Sequence, residues 1–303
     1  MTESSPDYRS GFCAFVGRPN AGKSTLTNAL VGSKIVITSD KPQTTRRAVR
    51  GVLSRPDGQL VLVDTPGLHR PRTLLGQRLN EVVRDTLAEV DVIGFCLPAN
   101  EKIGPGDRFI AAELAKLAAP VLAIVTKTDV APRQRVAEQL LAVGQLAEFA
   151  EIVPVSAVAG DQVELLADLL IGRLPAGPQL YPDSMSTDES DENRVAELIR
   201  EAALADVRDE LPHSIAVTVQ EMNQREVPAG RPPVIDIYAT LHLERSSQRP
   251  IMLGAGGSRL KRIGTEARHG IEVLLGQRVN LKLHISVLGE WQRDPKKLDR
   301  LGF

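Results

Sequence analysis

The chain has little cysteine, few aromatic side chains, almost no net charge and no long apolar run. Only Cys13 and Cys96 occur in 303 residues. Both sit in apolar, strand-like stretches, so they read as buried thiols of a reducing compartment and exclude a disulfide or cysteine–metal framework. Aromatics make up 3% of the chain, with one Trp, too few for ring stacking to dominate the reading of a base. The formal net charge is -1 from 37 basic and 38 acidic residues. It says nothing about partners, and any basic patch has to be local. No stretch approaches ~18 uninterrupted apolar residues. The polar start, MTESSPDYRS, lacks the apolar core of a secretory leader.

What is present is length enough for roughly two domains and 42% hydrophobic residues, enough for packed cores. The stretch around which the rest is organised is GFCAFVGRPNAGKST, residues 11–25. An apolar run at 12–16 feeds into Gly17, Arg18, Pro19, Asn20, Ala21, Gly22, Lys23 and Ser24, which reads as strand, loop and helix start. The spacing GxxxxGKS suits a phosphate. Small residues let backbone N–H groups converge, the helix N-terminus adds partial positive charge, and Lys23 reaches the β/γ-phosphates. Ser24 offers its hydroxyl to Mg²⁺.

After a helix at 24–30 comes a polar segment containing Pro42, expected as a mobile loop between two apolar runs. An apolar strand at 59–63 then ends in Asp64, Thr65, Pro66 and Gly67. A carboxylate at a strand's carboxyl end can hold Mg²⁺ through water, and the Gly67 N–H can meet a γ-phosphate. Buried strands at 90–97 and 120–125 follow, the second ending in Thr126, Lys127, Thr128 and Asp129. The Asp129 carboxylate can accept from two adjacent ring donors, a pattern guanine offers and adenine does not. EIVPVS gives a last strand ending at Ser156 and Ala157, and a periodic helix at 161–171 closes the unit. Strands alternating with helices, each strand ending in a polar motif, describe a doubly wound parallel sheet with its site at the strand carboxyl ends.

With GRPNAGKS, DTPG, TKTD and SA in that order, the first half resembles the small GTP-binding protein superfamily. The resemblance implies a nucleotide site built from residues 17–24 and Thr25, from Asp64, Thr65, Pro66, Gly67 and Leu68, from Thr126, Lys127, Thr128 and Asp129, and from Ser156 and Ala157. It implies catalytic parts for Lys23, Thr45, Gly67 and Asn20, and Mg²⁺ ligands at Ser24, Thr45 and Asp64. Within QTTR at 43–46, Thr45 is the chosen ligand and Thr44 its rival. Two positions depart from the superfamily pattern. Thr126 stands where Asn is usual, so guanine affinity is expected to fall while Asp129 keeps base choice. Leu68 stands where many relatives place a water-orienting Gln, so unassisted turnover is expected on the order of 10⁻⁴ s⁻¹. In potassium-activated relatives an Asn at the place of Asn20 binds K⁺; the alternative is an Asn used for turn geometry.

The second half begins after a Pro-, Ser- and acid-rich linker, 176–193, that separates domains at 1–175 and 194–303. A helix capped by Asp191 or Asn193 is expected, then strands at 214–222 and 234–244 joined as a hairpin, two helices broken at 254–257, and a strand at 279–288. That order, with Gly254, Ala255, Gly256 and Gly257 between helices, resembles the second type of KH domain. In that module a loop poor in side chains lets a single-stranded nucleic acid approach closely. The residues expected at RNA are these four with Ser258, Arg249, Arg259, Lys261 and Arg262, and Arg245 adds to the local cations. No cation lies between the glycines, which departs from the usual pattern. The tail, 291–303, reads as basic and polar without an amphipathic helix suited to a membrane.

Over nearly the whole chain, with DTPGLH and IGTEAR as further matching strings, the sequence resembles the Era family. The resemblance implies an α/β doubly wound P-loop GTPase domain followed by an α+β type II KH domain. It also implies GTP or GDP and Mg²⁺ as ligands, with K⁺ as a further candidate, and a monomer that binds the 3′ region of 16S rRNA in 30S subunit assembly. The setting implied is the cytoplasm, with peripheral membrane contact in some members. Two other readings stay open: a GTPase with a non-ribosomal target, and an RNA-binding module whose nucleotide site is regulatory and weakly catalytic.

Overall fold

The computed structural model describes residues 8–41, 43–68, 71, 73–205, 207, 211–226, 228, 230 and 232–303. Pro42 of the expected mobile loop and His69 of DTPGLH lie outside them. The chain divides into two compact units, one of Met1–Thr38, Thr45–Pro71 and Leu79–Asp188, the other of Ser39–Thr44, Arg72–Arg78 and Glu189–Phe303.

The first unit is built on a six-stranded sheet of order β2-β3-β1-β4-β5-β6. Its strands are β1 (Arg9–Val16), β2 (Val49–Arg55), β3 (Gly58–Asp64), β4 (Val92–Pro98), β5 (Val121–Thr126) and β6 (Glu151–Pro154). Every residue of β3 and β4 is buried, the mark of strands covered on both faces. Alternation along β1 sorts the layers. Cys13 and Phe15 pack with Leu26 and Leu30 of α1 (Lys23–Val31) and with Leu166 and Leu170 of α5 (Val163–Ile171). Ala14 and Val16 face the other way, toward α2 (Leu74–Glu89), α3 (Pro105–Leu114) and α4 (Arg133–Gly144). Cys13 and Cys96 are buried thiols. Desolvation pushes the Cys96 thiol up to about 12 and raises Cys13 as well, so both stay neutral.

The sheet is not wholly parallel as expected, because β2 runs antiparallel to β3. The segment before β2 also differs from a plain loop. The Asn28 side chain donates to the Val36 carbonyl at 2.8 Å and accepts from Ile35 and Val36 N–H at 2.9 and 3.1 Å. Ile35, Val36 and Ile37 are buried. Most of the expected linker is likewise bonded into the first unit. The buried Gln59 carboxamide accepts from Leu180 and Tyr181 N–H, both at 2.8 Å, and donates to the Tyr181 carbonyl at 2.8 Å. Polar composition marked residues 176–193 as a linker, but besides the Gln59 amide, Ser10 Oγ donates to the Pro178 carbonyl at 2.6 Å, Val52 N–H to the Ser186 carbonyl at 2.9 Å and Thr187 Oγ1 to the Arg50 carbonyl at 2.7 Å.

The second unit runs α6 (Asp191–Leu204), β7 (Ala216–Arg225), β8 (Val234–Leu243), α7 (Gln248–Leu253), α8 (Ser258–Leu275), β9 (Arg278–Val287) and α9 (Pro295–Leu301). β7 pairs antiparallel with β8, and β8 parallel with β9. Ile237, Ala239, Leu241 and Leu243 of β8 point into a core shared with Ile199 of α6 and Ile263, Ala267 and Ile271 of α8. The cap of α6 is Ser190, whose hydroxyl accepts from Asn193 N–H at 3.3 Å, rather than Asp191 or Asn193. The basic, polar tail contributes to the core. Trp291 is fully buried and stacks on Phe303 at 5.7 Å, and α9 buries Leu298 and Leu301. Two leucines three residues apart seat this short helix.

Candidate functional site

The strand order turns at β1, whose neighbours are β3 and β4. In open α/β sheets such a point leaves a crevice beyond the strand carboxyl ends. The loop 17–24 starts there. A Cβ at Gly17 would lie 2.7 Å from the Cys96 carbonyl oxygen, so only glycine fits between this loop and β4. Asn20 (φ 64) and Gly22 (φ 90) take left-handed backbone, which curls the loop onto the start of α1. Lys23 is buried, and its Nζ donates to the Gly17 and Arg18 carbonyls at 3.2 and 3.1 Å. The ammonium thus pins the loop that surrounds it.

Ser24, Thr45 and Asp64 meet at one carboxylate oxygen. Asp64 Oδ2 accepts from Ser24 Oγ at 2.8 Å and from Thr45 Oγ1 at 2.9 Å, and the two hydroxyls lie 3.0 Å apart. Thr44 turns elsewhere, its hydroxyl donating to the Lys41 carbonyl at 2.7 Å. Asp64 is fully buried, and its Oδ1 has no partner among the described residues. An orphaned carboxylate oxygen beside two hydroxyls is the hard, oxygen-only donor set that Mg²⁺ takes. Burial raises the pKa of Asp64, opposed by Lys23, Ser24 and Thr45; burial lowers that of Lys23, opposed by Asp64 and Cys96. Each charge therefore depends on the other, or on a ligand, to persist. The Thr65 hydroxyl donates to the Phe15 carbonyl at 2.8 Å, fixing β3 to β1. A Cβ at Gly67 would lie 2.9 Å from Pro19 N, so the Asp64 turn touches the glycine loop.

At the β5 end, Thr126 is spent on the loop rather than on a base. Its buried hydroxyl donates to the Ala21 carbonyl at 2.7 Å. Lys127 takes left-handed backbone (φ 58) and leads into a 3₁₀ turn, Thr128–Val130, that carries the exposed Asp129. Buried Ser156 donates its hydroxyl to Asp129 Oδ1 at 2.7 Å and accepts from Ala159 N–H at 3.0 Å. Ser156 thereby aims the carboxylate.

Two further members of the expected set send their side chains elsewhere. The Arg18 guanidinium pairs with Asp107 at 2.7 Å and Glu101 at 3.1 Å, bracing the loop against α3. Leu68 joins the apolar cluster of Val16, Val83 and Leu87. Its backbone alone is left for the nucleotide.

In the second unit, Gly254 (φ 71), Gly256 (φ 56) and Gly257 (φ 79) all have positive φ. A Cβ at Gly254 would sit 2.9 Å from Arg259 Cβ, whereas at Gly256 and Gly257 nothing lies within 4 Å. The loop is open on its outer side. It leads to a cleft of about 400 Å³ between α8 and β9, lined by Gly257, Lys261, Gly264, Thr265, Arg268 and Asn280 among others. Of the expected RNA residues, Gly257 and Lys261 line it. Arg259 donates to the Ile251 carbonyl at 2.9 Å, Arg262 lies 3.9 Å from Glu266, and Arg249 is exposed and does not line this cleft. Thr265 and Arg268 were not anticipated. Their signal was present, since 261, 264, 265 and 268 recur at helical spacing and so share one face of α8.

A GTPase family model described as "50S ribosome-binding GTPase" matches residues 12–127, and a KH domain model matches 210–292. A protein of Nocardioides sp. named GTPase Era is 63% identical, the match covering 98% of this chain and 97% of the relative. One of Streptomyces coelicolor with the same name is also 63% identical, with 98% and 95% covered. Among solved structures, a single-residue variant of Aquifex aeolicus Era bound to GDP.AlF4- superposes at a TM-score of 0.92 with 35% identity, covering 97% of this chain and 99% of that one. An Era complex with MgGDPNP and nucleotides 1506–1542 of 16S ribosomal RNA also superposes at 0.92, with 36% identity and the same coverage. With both modules in order and likeness running from end to end, the chain belongs to the Era family of GTPases.

Proposed function

We propose that the first unit binds and hydrolyses GTP with Lys23, Ser24, Thr45 and Asp64 as its working groups. We further propose that the second unit binds the 3′ region of 16S rRNA during assembly of the 30S subunit. The observation that carries the reading is the meeting of Ser24 and Thr45 at the buried Asp64 carboxylate beside Lys23. Lys23 would bind the β/γ-phosphates, the Gly67 N–H the γ-phosphate, and Asp129, aimed by Ser156, the guanine ring donors. Mg²⁺, held by Ser24, Thr45 and Asp64, would neutralise charge on the phosphate oxygens. Since Leu68 is spent in the core, backbone groups orient the attacking water, and unassisted turnover is slow. Asn20, left-handed at the mouth of the loop, is the residue we assign to a K⁺ ion. Equal hydrolysis rates in K⁺ and Na⁺ would remove that assignment.

The RNA half draws on the open Gly254 loop, the cleft beside α8, and the solved relative that holds a 16S fragment. The description of the GTPase model names the large subunit, but that model covers only residues 12–127. The full-length likeness to the 16S complex outweighs it. We take the protein to be a cytoplasmic monomer with peripheral membrane contact at most. No helix among the described residues is long and apolar enough to cross a membrane. The test is to crosslink the protein in cells and sequence the bound RNA. Reads concentrated at the 3′ end of 16S rRNA are expected; reads confined to other RNAs, or none, overturn the RNA half. Single-turnover hydrolysis of GTP with purified protein tests the enzymatic half separately.

A further inference from the structure

The face of the second sheet turned away from its core carries a polar cleft that neither the glycine loop nor the nucleotide site uses. Along β8, Thr240 and His242 alternate with the inward Ala239, Leu241 and Leu243, so they point outward. Pairing sets Thr218 of β7, Thr240 and His284 of β9 in one row across the sheet, and His242 beside Ser286 in the next. The tail supplies the remaining wall. With Trp291 stacked on Phe303, and Leu298 and Leu301 buried, α9 is seated so that Arg300 borders the same cleft.

The cleft measures about 400 Å³, inside the ~300–1,000 Å³ span of small-ligand sites. Its polar lining is Thr218, Thr240, His242, His284, Ser286 and Arg300, with the Gln220 amide at the rim. No carboxylate is among the lining residues described. His242 is 8% exposed, with Nε2 2.9 Å from Thr218 Oγ1 and Nδ1 lacking a partner among the described residues. Burial first, then the positive charges of Arg300 and His284, lower the pKa of His242. The cleft thus concentrates hydrogen-bond donors and positive charge around a buried imidazole and supplies no counter-charge of its own. Such a lining favours an anion with several oxygens.

We propose that this cleft is a phosphate-ester site, with Arg300 as its charged contact and the His284 imidazole and the Thr218, Thr240 and Ser286 hydroxyls as further hydrogen-bonding groups. The ester is either a backbone phosphate of a bound RNA strand or a free nucleotide. The site shares no lining residue with the cleft beside α8, so it is a second contact and does not depend on that groove.

The test uses the full chain preloaded with Mg²⁺ and GDP, so that the glycine loop of the first unit cannot take the probe. Imidazole ¹H–¹⁵N signals of His242 and His284 are followed as UMP or inorganic phosphate is added. In parallel, filter binding of a 16S 3′-end oligoribonucleotide is measured at several salt concentrations for the parent, Arg300→Gln and the double variant Arg300→Gln/His284→Gln. Arg300 and His284 are exposed, so the variants should fold, which thermal melting checks. If the source is RNA, the double variant binds the oligonucleotide about five- to tenfold more weakly, and its salt slope falls by about one. If the source is a free nucleotide, UMP moves both imidazole signals in the parent but not in Arg300→Gln, while RNA binding is unchanged. No imidazole response together with parental RNA affinity and slope overturns the proposal. A parent that binds no RNA at all, yet responds to UMP, overturns the RNA reading of the second unit and leaves this site standing.

Discussion

Two loops of small residues open helices in this chain, and they solve opposite problems. Both α1 and α8 begin after a left-handed glycine, Gly22 (φ 90) and Gly257 (φ 79). The loop 17–24 is closed from within: Lys23 ties two of its carbonyls, Thr126 ties a third, and Gly17 has no room for a side chain against β4. The loop 254–257 is open. At Gly256 and Gly257 a side chain would meet nothing, and positive φ rather than crowding is what calls for glycine. Missing side chains thus serve enclosure in one place and access in the other. An enclosed loop with a buried cation suits one defined anion; an exposed one suits a passing strand read through its backbone.

The largest effect that could break this contrast is expected from Lys23→Ala. Removing the buried cation takes away both the loop's internal tie and the charge aimed at phosphate, so GTP affinity should fall by about 3 kcal/mol or more, over a hundredfold. Calorimetry showing parental affinity would mean the loop encloses nothing. RNA binding should largely survive. Next comes the double change Ala255→Asp and Gly256→Asp, which places two carboxylates where an RNA backbone has to approach. RNA should bind about 2 kcal/mol more weakly while GTP affinity stays parental. Filter binding that shows an unchanged affinity and salt slope would reduce 254–257 to a helix break.

Ser156→Ala sharpens the comparison at smaller scale. It deletes the 2.7 Å hydrogen bond that aims Asp129, and about 1 kcal/mol of GTP affinity, roughly fivefold, should go with it. A larger loss measured equally for ATP would mean that Ser156 supports the fold rather than base choice.

The smallest effect lies at the carboxylate that holds Asn280, a residue lining the open cleft. Asp236 accepts from Arg225 Nε at 2.8 Å and from Asn280 at 2.6 Å, and these bonds, Arg225 foremost, hold its carboxyl down at about 2. Because the folded pKa lies below the ordinary 3.8, the contribution to stability is complete above that value and is lost as pH falls toward about 2. Melting temperatures of the parent and Asp236→Asn should therefore differ slightly at pH 5 and converge on acidification. A difference that stays constant down to pH 2 would show that the pair is not what the substitution removes.

Much of this molecule is legible in the chain itself, for reasons that are local. Gly17, Gly22, Lys23 and Ser24 announce a phosphate loop because backbone geometry and helix start depend on near neighbours. Strand ends at Asp64 and Asp129, the alternation of β8 and the glycines at 254–257 follow from periodicities of two and from turn chemistry. Which partner each side chain meets was decided by tertiary structure. That Thr45 rather than Thr44 faces Asp64, that Arg18 serves α3, that Leu68 enters the core and that Gln59 fastens residues 180 and 181 are pairings across long sequence separations. The same holds for the cleft of His242, His284 and Arg300, assembled from three strands and the polar tail. A sequence displays its local propensities residue by residue. Such distant pairings exist only once the core within each unit has packed.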